Sequence, residues 1–257
     1  RSKVKFSRIK QIFISHLPGD HYYGLIGLIS SFELLGRKVP LTVFGPKGIK
    51  NLITIQLEAS DAQLTYPLHF VELNSDTTER VYEDDKVMVD TIPLRHRIYC
   101  NGYLFRAKLG QRRIAIEAAN EAEIDIAYFN KLKQGYDVLN KHGKLIPNAS
   151  VTLDPHPPKS YAFCSDTMYY PKIIEQLKGT QVLYHESTFL DSHKHLCERT
   201  MHSTAKEAAK IAKSANVKTL VLGHYSGRYK DLEGFRREAQ EIFPEVRLAK
   251  DLKEISF

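Results

Sequence analysis

Phe13-Ile14-Ser15-His16-Leu17-Pro18-Gly19-Asp20-His21 is the stretch on which the reading of this chain turns. Ile12-Phe13-Ile14 is a short apolar run of the kind that forms a buried strand. Tyr22 to Leu35 carries Leu25, Leu28, Ile29, Phe32 and Leu35 at the spacing of one helix face, with Gly36 as its stop. Between strand and helix, a Pro-Gly turn packs His16, Asp20 and His21 into six residues. Imidazole and carboxylate are the donors that suit zinc and similar divalent ions. The helix start also turns backbone N–H groups toward any anion nearby.

Working outward, the same strand-then-donor pattern recurs. Leu41 to Phe44 reads as a strand closed by Gly45-Pro46, and Lys47 to Leu57 as a helix. Leu68 to Leu73 and Val87 to Ile92 read as strands, the second running into Pro93-Leu94-Arg95-His96. Ser160 to Cys164 ends at Ser165-Asp166, Gln181 to Tyr184 at His185-Glu186, and Val217 to Leu222 at Gly223-His224. Ser203 to Ala215 predicts an amphipathic helix with Ala205, Ala208, Ala209 and Ala212 on one face, Thr204 and Glu207 being spaced as a capping box. His16, His96, Asp166, His185 and His224 thus all follow predicted strands. In an α/β protein, strand ends deliver side chains along one edge of a sheet. One histidine after one strand is ordinarily structural, but burying so many without partners would be costly. The pattern therefore points to a metal site.

Bulk composition sets the frame. The 257 residues suffice for one large α/β domain or two small ones, and 42% apolar with 26% charged residues describes an ordinary globular chain. No apolar run approaches the roughly 20 residues of a membrane helix, and no signal peptide is legible; the chain opens at Arg1, so its true start is expected upstream. Cys100, Cys164 and Cys197 are few, odd in number and far apart, which fits inert thiols in a reducing cytoplasm. Lysine and arginine exceed acids by 37 to 30, giving +7, and the basic stretch Arg1 to Lys10 adds to an excess that favours a polyanionic partner. Arg106 to Asn148 lacks a clear apolar period and holds Lys131, Lys133, Gly135, Lys141, Gly143 and Lys144, the mark of an insertion projecting from the domain.

His16-x-x-x-Asp20-His21 resembles the His-x-His-x-Asp-His signature of the metallo-β-lactamase superfamily, and His96, Asp166 and His224 follow in that superfamily's order. Within it the chain is similar to the ribonuclease Z family, which processes tRNA 3′ ends. The resembling segments are Phe13 to His21, Pro158-Lys-Ser-Tyr-Ala-Phe-Cys-Ser-Asp-Thr167, His185-Glu-Ser-Thr-Phe189, His202-Ser-Thr204 and Gly223-His-Tyr-Ser-Gly-Arg-Tyr229. The resemblance implies an αβ/βα four-layer sandwich over residues 1–257, with 106–148 as the family's tRNA-gripping arm, although Ile126 to Lys131 stands where that arm is usually rich in glycine and proline. It implies a two-zinc site, with Mn²⁺ or Mg²⁺ as other ions of use: His16 and His96 on one ion, Asp20, His21 and His224 on the other, Asp166 bridging. Asp20 also stands with His202, the general acid, and Glu186, which holds the His202 imidazole, in the catalytic set. Lys159, Ser226 and Arg228 resemble residues that contact tRNA. The implied substrate is precursor tRNA, the enzyme a cytoplasmic homodimer without a membrane partner.

Two departures accompany the match. Pro18 occupies the place of the signature's second histidine and offers no side-chain donor, so the first ion is expected to bind loosely. A metal-poor relative that holds tRNA without cutting it is the alternative this substitution raises, and a small-molecule phosphodiesterase is the nearest enzymatic rival. Nothing before Phe6 matches the family's opening strands, so the first ~40 residues, the length of a few strands and turns, are expected to be absent.

Overall fold

A computed structural model describes residues 5–257; Arg1 to Val4, the start of the basic opening stretch, lie outside the described residues. Strands β1 (Gln11–Phe13), β2 (Leu41–Pro46) and β3 (Leu68–Leu73) pair in that order as a parallel sheet. Then come β4 (Arg80–Glu83), β5 (Val87–Pro93) and β6 (Asn101–Ala107). Four two-residue strands follow, β7 (Arg113–Ile114), β8 (Val138–Leu139), β9 (Leu145–Ile146) and β10 (Thr152–Leu153). The chain continues with β11 (Ser160–Cys164), β12 (Val182–Glu186), β13 (Thr219–Gly223) and β14 (Val246–Leu248). The second large sheet has the order β14-β13-β12-β11-β6-β5-β4, and β11 to β14 run parallel.

Side-chain alternation along these strands builds the layers. Ile12, Ile14, Leu41 and Val43 pack with Leu25, Ile29, Phe32, Ile49 and Ile53 of two helices, Gly19–Leu34 and Ile49–Ala59. Phe13 and Leu73 belong to a separate cluster with Val81, Val89, Tyr103 and Phe105 of the larger sheet. There Phe13 stacks on Phe44 at 4.8 Å between ring centres and lies 5.2 Å from Tyr103. On the remaining face Ala162, Cys164, Leu183, Leu220 and Leu222 meet the Ala205–Ser214 and Glu233–Gln240 helices. Three apolar clusters between four layers give helix, sheet, sheet, helix. At about 25 cal/mol per Å² of buried apolar surface, these clusters supply the dominant stabilising term.

Two local features depart from the sequence expectation or refine it. The first helix starts at Gly19, so His21 lies in its first turn, and Leu35 falls on the cap and is 72% exposed rather than in the core. Gly36 adopts φ +69°, and the Arg37 N–H returns to the Phe32 carbonyl, which ends the helix at Leu34. Along β6, a Cβ on Gly102 would run into the Phe163 carbonyl oxygen of β11, so the two backbones approach as only glycine permits.

The chain divides into two units. The one just described holds the chain up to Tyr82, Val89–Phe105 and Ser160–Phe257; the other holds Glu83–Met88 and Arg106–Lys159. The second unit has its own core of Ala119, Ile124, Leu132, Val138, Ile146 and Val151. Its helices, Ile116–Glu121, Phe129–Lys133 and Asn148–Val151, are too short for an apolar period to show. Buried Asn148 ties the last helix to the Phe129–Lys133 helix and the loop after it, donating from Nδ2 to the Leu132 and Tyr136 carbonyls (2.7 and 3.0 Å) and from its backbone to Asp137 (2.7 Å).

Candidate metal centre

The registers of the parallel strands bring distant segments to one edge. Cys164 pairs with His185, and Glu186 with Gly223, so Asp166 follows β11, Glu186 closes β12 and His224 follows β13 at the same end of the sheet. The His16 loop is fastened there by the Asn101 N–H donating to the Ser15 carbonyl (3.0 Å) and the Tyr103 hydroxyl donating to that of Ile14 (2.7 Å). The His96 turn joins through the Arg95 N–H, which donates to Thr167 Oγ1 (3.1 Å).

Asp166 sits at the centre. Its Oδ2 lies 3.4 Å from His16 Nε2 and 3.5 Å from His21 Nε2, and its Oδ1 lies 3.4 Å from His224 Nε2. Two donor triads result, His16/His96/Asp166 and His21/Asp166/His224, each with its atoms within 4.8 Å of one another. A third group, Glu186/His202/His224, adjoins them. Asp20 lies outside these groups: its side chain is 76% exposed, with Oδ2 3.3 Å from His21 Nε2. Pro18 precedes the helix and contributes only its carbonyl, which accepts from the His21 N–H at 3.0 Å.

The fit of this set to divalent ions can be judged from the far side of each ring. His96 Nδ1 donates to the Met201 carbonyl (3.2 Å). Thr188 Oγ1 donates its one hydrogen to Glu186 Oε2 (2.7 Å) and therefore accepts from His224 Nδ1 (2.8 Å). Ser15 Oγ engages His16 Nδ1 at 2.9 Å, while His16 Nε2, fully buried, has no hydrogen-bond partner among the described residues. Holding Nδ1 on a protein partner leaves the Nε2 lone pair aimed at the centre, which is how metal-ligating histidines are oriented. Burial lowers the pKa of His21 and of His96 and so favours the neutral, ligand-competent ring. For Asp166, burial raises the pKa, but His16, His224, Ser165 and His21 together outweigh it and hold the carboxyl well below the usual range. Asp166 and His224 take left-handed backbone, φ +60° and +56°, as does Met201 before His202 (φ +59°). Such conformations cost on the order of 1–3 kcal/mol each and persist only where surroundings enforce them.

Beside the triads, Glu186 is completely buried and accepts five hydrogen bonds. They come from Thr167 N (2.8 Å) and His202 Nδ1 (2.6 Å) on Oε1, and from Thr188 N (3.1 Å), Thr188 Oγ1 (2.7 Å) and Ser203 N (3.1 Å) on Oε2. Burial works against the charge, yet His202 and Thr188 keep the Glu186 pKa lowered. For His202, burial pulls the pKa down, but the Glu186 contact prevails and raises it; Arg97 opposes. The His202 turn is pinned next to this carboxylate by the Phe189 carbonyl, which accepts from the Ala205 N–H at 3.0 Å.

Of the strand-end histidines, His185 does not join the centre. It lies inside β12, fully buried, with Nδ1 donating to the Glu186 carbonyl (2.7 Å), and burial lowers its pKa, as suits a neutral structural ring. Ser226 donates its N–H to the Thr188 carbonyl (3.1 Å), and exposed Arg228 lies over the Phe189 ring at 5.2 Å. Lys159 is exposed in the second unit, where its carbonyl accepts from the Ala107 N–H at 2.8 Å. The sequence reading missed Ser15, Thr188 and Met201, which orient the ligand-type histidines; Ser15, next to His16, and Thr188, two residues past Glu186, both lie in quoted segments and carried a local signal, whereas Met201 did not. Cys100, Cys164 and Cys197 are free and buried, and burial pushes the Cys197 thiol up to about 12, in keeping with inert thiols. None of the described helices is long and apolar enough to cross a membrane.

Residues 103–225 match the model of a beta-lactamase superfamily domain. Among solved structures, human tRNase Z, short form, superposes with a TM-score of 0.67 at 22% identity, covering 99% of this chain and 82% of that one. A long-form RNase Z from yeast superposes at 0.63 with 15% identity, over 96% of this chain and 32% of that one. The four layers and the donor-lined sheet edge therefore define a protein of the metallo-β-lactamase fold. Ribonuclease Z of Bacteroides fragilis (strain YCH46) is 43% identical over 251 residues, 98% of this chain and 83% of that protein. That of Parabacteroides distasonis is 43% identical over 244 residues, 95% and 80% respectively. The chain belongs to the ribonuclease Z family.

Proposed function

We propose that this protein is a zinc-dependent endoribonuclease that cuts precursor tRNA on the 3′ side of the discriminator nucleotide. The observation that carries the reading is the meeting of five ligand-type side chains, His16, His21, His96, Asp166 and His224, beside the Glu186–His202 pair, in a chain 43% identical to a ribonuclease Z. In this reading His16 and His96 hold one ion and His21, His224 and Asp20 the other, with Asp166 common to both. Divalent ions bound by these residues would supply an ionised water and offset charge growing on a phosphate. The chain's own residues do the rest. Glu186 raises the His202 pKa, which favours the protonated ring, and fixes its Nδ1, leaving Nε2 to protonate the departing 3′ oxygen. Arg228, planar and held over Phe189, suits a phosphate of the acceptor stem, with Ser226 beside it. On the strength of the family resemblance, Lys159 is assigned to guiding the tRNA 3′ end and the Arg106 to Asn148 arm to the tRNA elbow. A cytoplasmic homodimer is the form this reading expects, and sedimentation tests the pairing.

The decisive experiment is cleavage of a precursor tRNA with added Zn²⁺ or Mn²⁺, the product ends being mapped. Release of a tRNA ending in a 3′-hydroxyl at the discriminator supports the proposal. If no cut appears at any metal concentration with the wild-type chain, and Pro18→His restores one, the protein is a tRNA-binding relative instead.

A further inference from the structure

A cleft of about 500 Å³ is lined by Leu17, Pro46, Lys47, Leu73, Asn74, Ile98 and Tyr99, all within the first unit. Two of its walls grow directly from the candidate centre: Leu17 is the residue after His16, and Ile98 lies two beyond His96. The lining is mostly hydrocarbon. Ile98 leaves 47% of its surface in solvent although it has a large apolar side chain, and Pro46 and Leu73 are buried beneath. Tyr99 spends its hydroxyl elsewhere, donating to the Ser75 carbonyl (3.2 Å) and accepting from Asn101 Nδ2 (2.6 Å), so its contribution to the cleft is the ring. At the rim, the exposed Lys47 ammonium makes no ion pair among the described residues, and the exposed Asn74 amide offers a donor and an acceptor.

Flat apolar walls, one amide and one cation beside a phosphate-cleaving centre are what a nucleotide requires: a π-face to pack, an edge to hydrogen-bond and a phosphate to neutralise. We infer that this cleft holds the base of the first nucleotide of the 3′ trailer, with Lys47 on the phosphate that follows it. The inference rests on the endonuclease reading above and extends it to a specific subsite. The choice of side follows from the general acid. In the endonuclease reading His202, with Phe189 and Arg228 near it, protonates the oxygen that stays with the tRNA body, and none of these three lines the cleft. The other product of the cut is therefore assigned to the cleft whose walls Leu17 and Ile98 follow His16 and His96 in the chain.

The test uses the full chain with Zn²⁺ and three precursor tRNAs: unmodified, abasic at the first trailer nucleotide, and abasic at the discriminator. For the wild type, kcat/KM falls about tenfold with the abasic trailer, within the range a stacked base contributes, and Ile98→Ala removes most of that difference. Lys47→Gln weakens all three substrates alike. A direct binding arm places 2-aminopurine at the first trailer position and reads its emission on complex formation; the change is expected with wild type and lost with Ile98→Ala. Equal cleavage of the trailer-abasic and unmodified RNAs overturns the inference, as does a penalty confined to the discriminator-abasic RNA. Should no RNA be cut at all, the endonuclease reading fails, while the fluorescence arm still decides whether the base enters the cleft.

Discussion

Glu186→Gln isolates the contribution of one buried charge. In the wild type, both carboxylate oxygens accept, five hydrogen bonds in all, and one comes from His202 Nδ1 at 2.6 Å. Glutamine removes the charge and turns one acceptor into a donor facing groups that also donate. A hydrogen bond to a charged group contributes about 1.5–3 kcal/mol, and losing the Glu186 charge removes what raises the His202 pKa, so that pKa should drop. The sign follows from its role: a general acid must be protonated, so activity is lost as pH rises through its pKa. With that pKa raised by Glu186 the wild type keeps its acid to higher pH, and in the variant the alkaline limb of kcat/KM moves down. The assay compares precursor tRNA, whose leaving alkoxide needs a proton, with bis(p-nitrophenyl) phosphate, whose leaving phenolate does not. His202→Ala should lose about 10²- to 10⁴-fold on RNA and far less on the activated diester. Equal losses on both substrates, or an alkaline limb unmoved in Glu186→Gln, would show that His202 is not the acid.

Metal titration by calorimetry should give two unequal affinities, because Pro18 withholds a donor from the His16/His96 side, and Pro18→His should strengthen the weaker event at least tenfold, as one added imidazole ligand would. Thr204→Ala removes the side-chain half of the capping box, the Glu207 N–H bond to Thr204 Oγ1 at 3.2 Å, and leaves the Thr204 N–H bond to Glu207; urea unfolding should show a loss of about 1 kcal/mol. Gly102→Ala forces a Cβ against the Phe163 carbonyl, so unfolding should reveal about 1–3 kcal/mol of destabilisation or no folded protein.

The legible parts of this fold share a physical character. Leu68–Leu73 and Ser160–Cys164 were bounded correctly from their apolar runs, and the Thr204 cap from a spacing that is purely local. The elements that escaped carry no such local signal. β6 is interrupted by Gly102, and β4 lies in a charged stretch. Glu233–Gln240 buries only Phe235 and Ala239, one contact pair on a helix that is otherwise polar.

The donors themselves, and their position after strands, were written in the chain, because strand periodicity and residue chemistry are properties of neighbours in sequence. Their meeting was not. It required β11, β12 and β13 to lie parallel in a register that sets Cys164 against His185 and Glu186 against Gly223. The same packing separated His185, whose ring the pleat sends into the helix-covered face, from His224, which a left-handed turn swings back to Asp166. Which nitrogen remains available on His224 and on His96 was decided by Thr188 and Met201, partners 36 and 105 residues away that only folding brings to Nδ1.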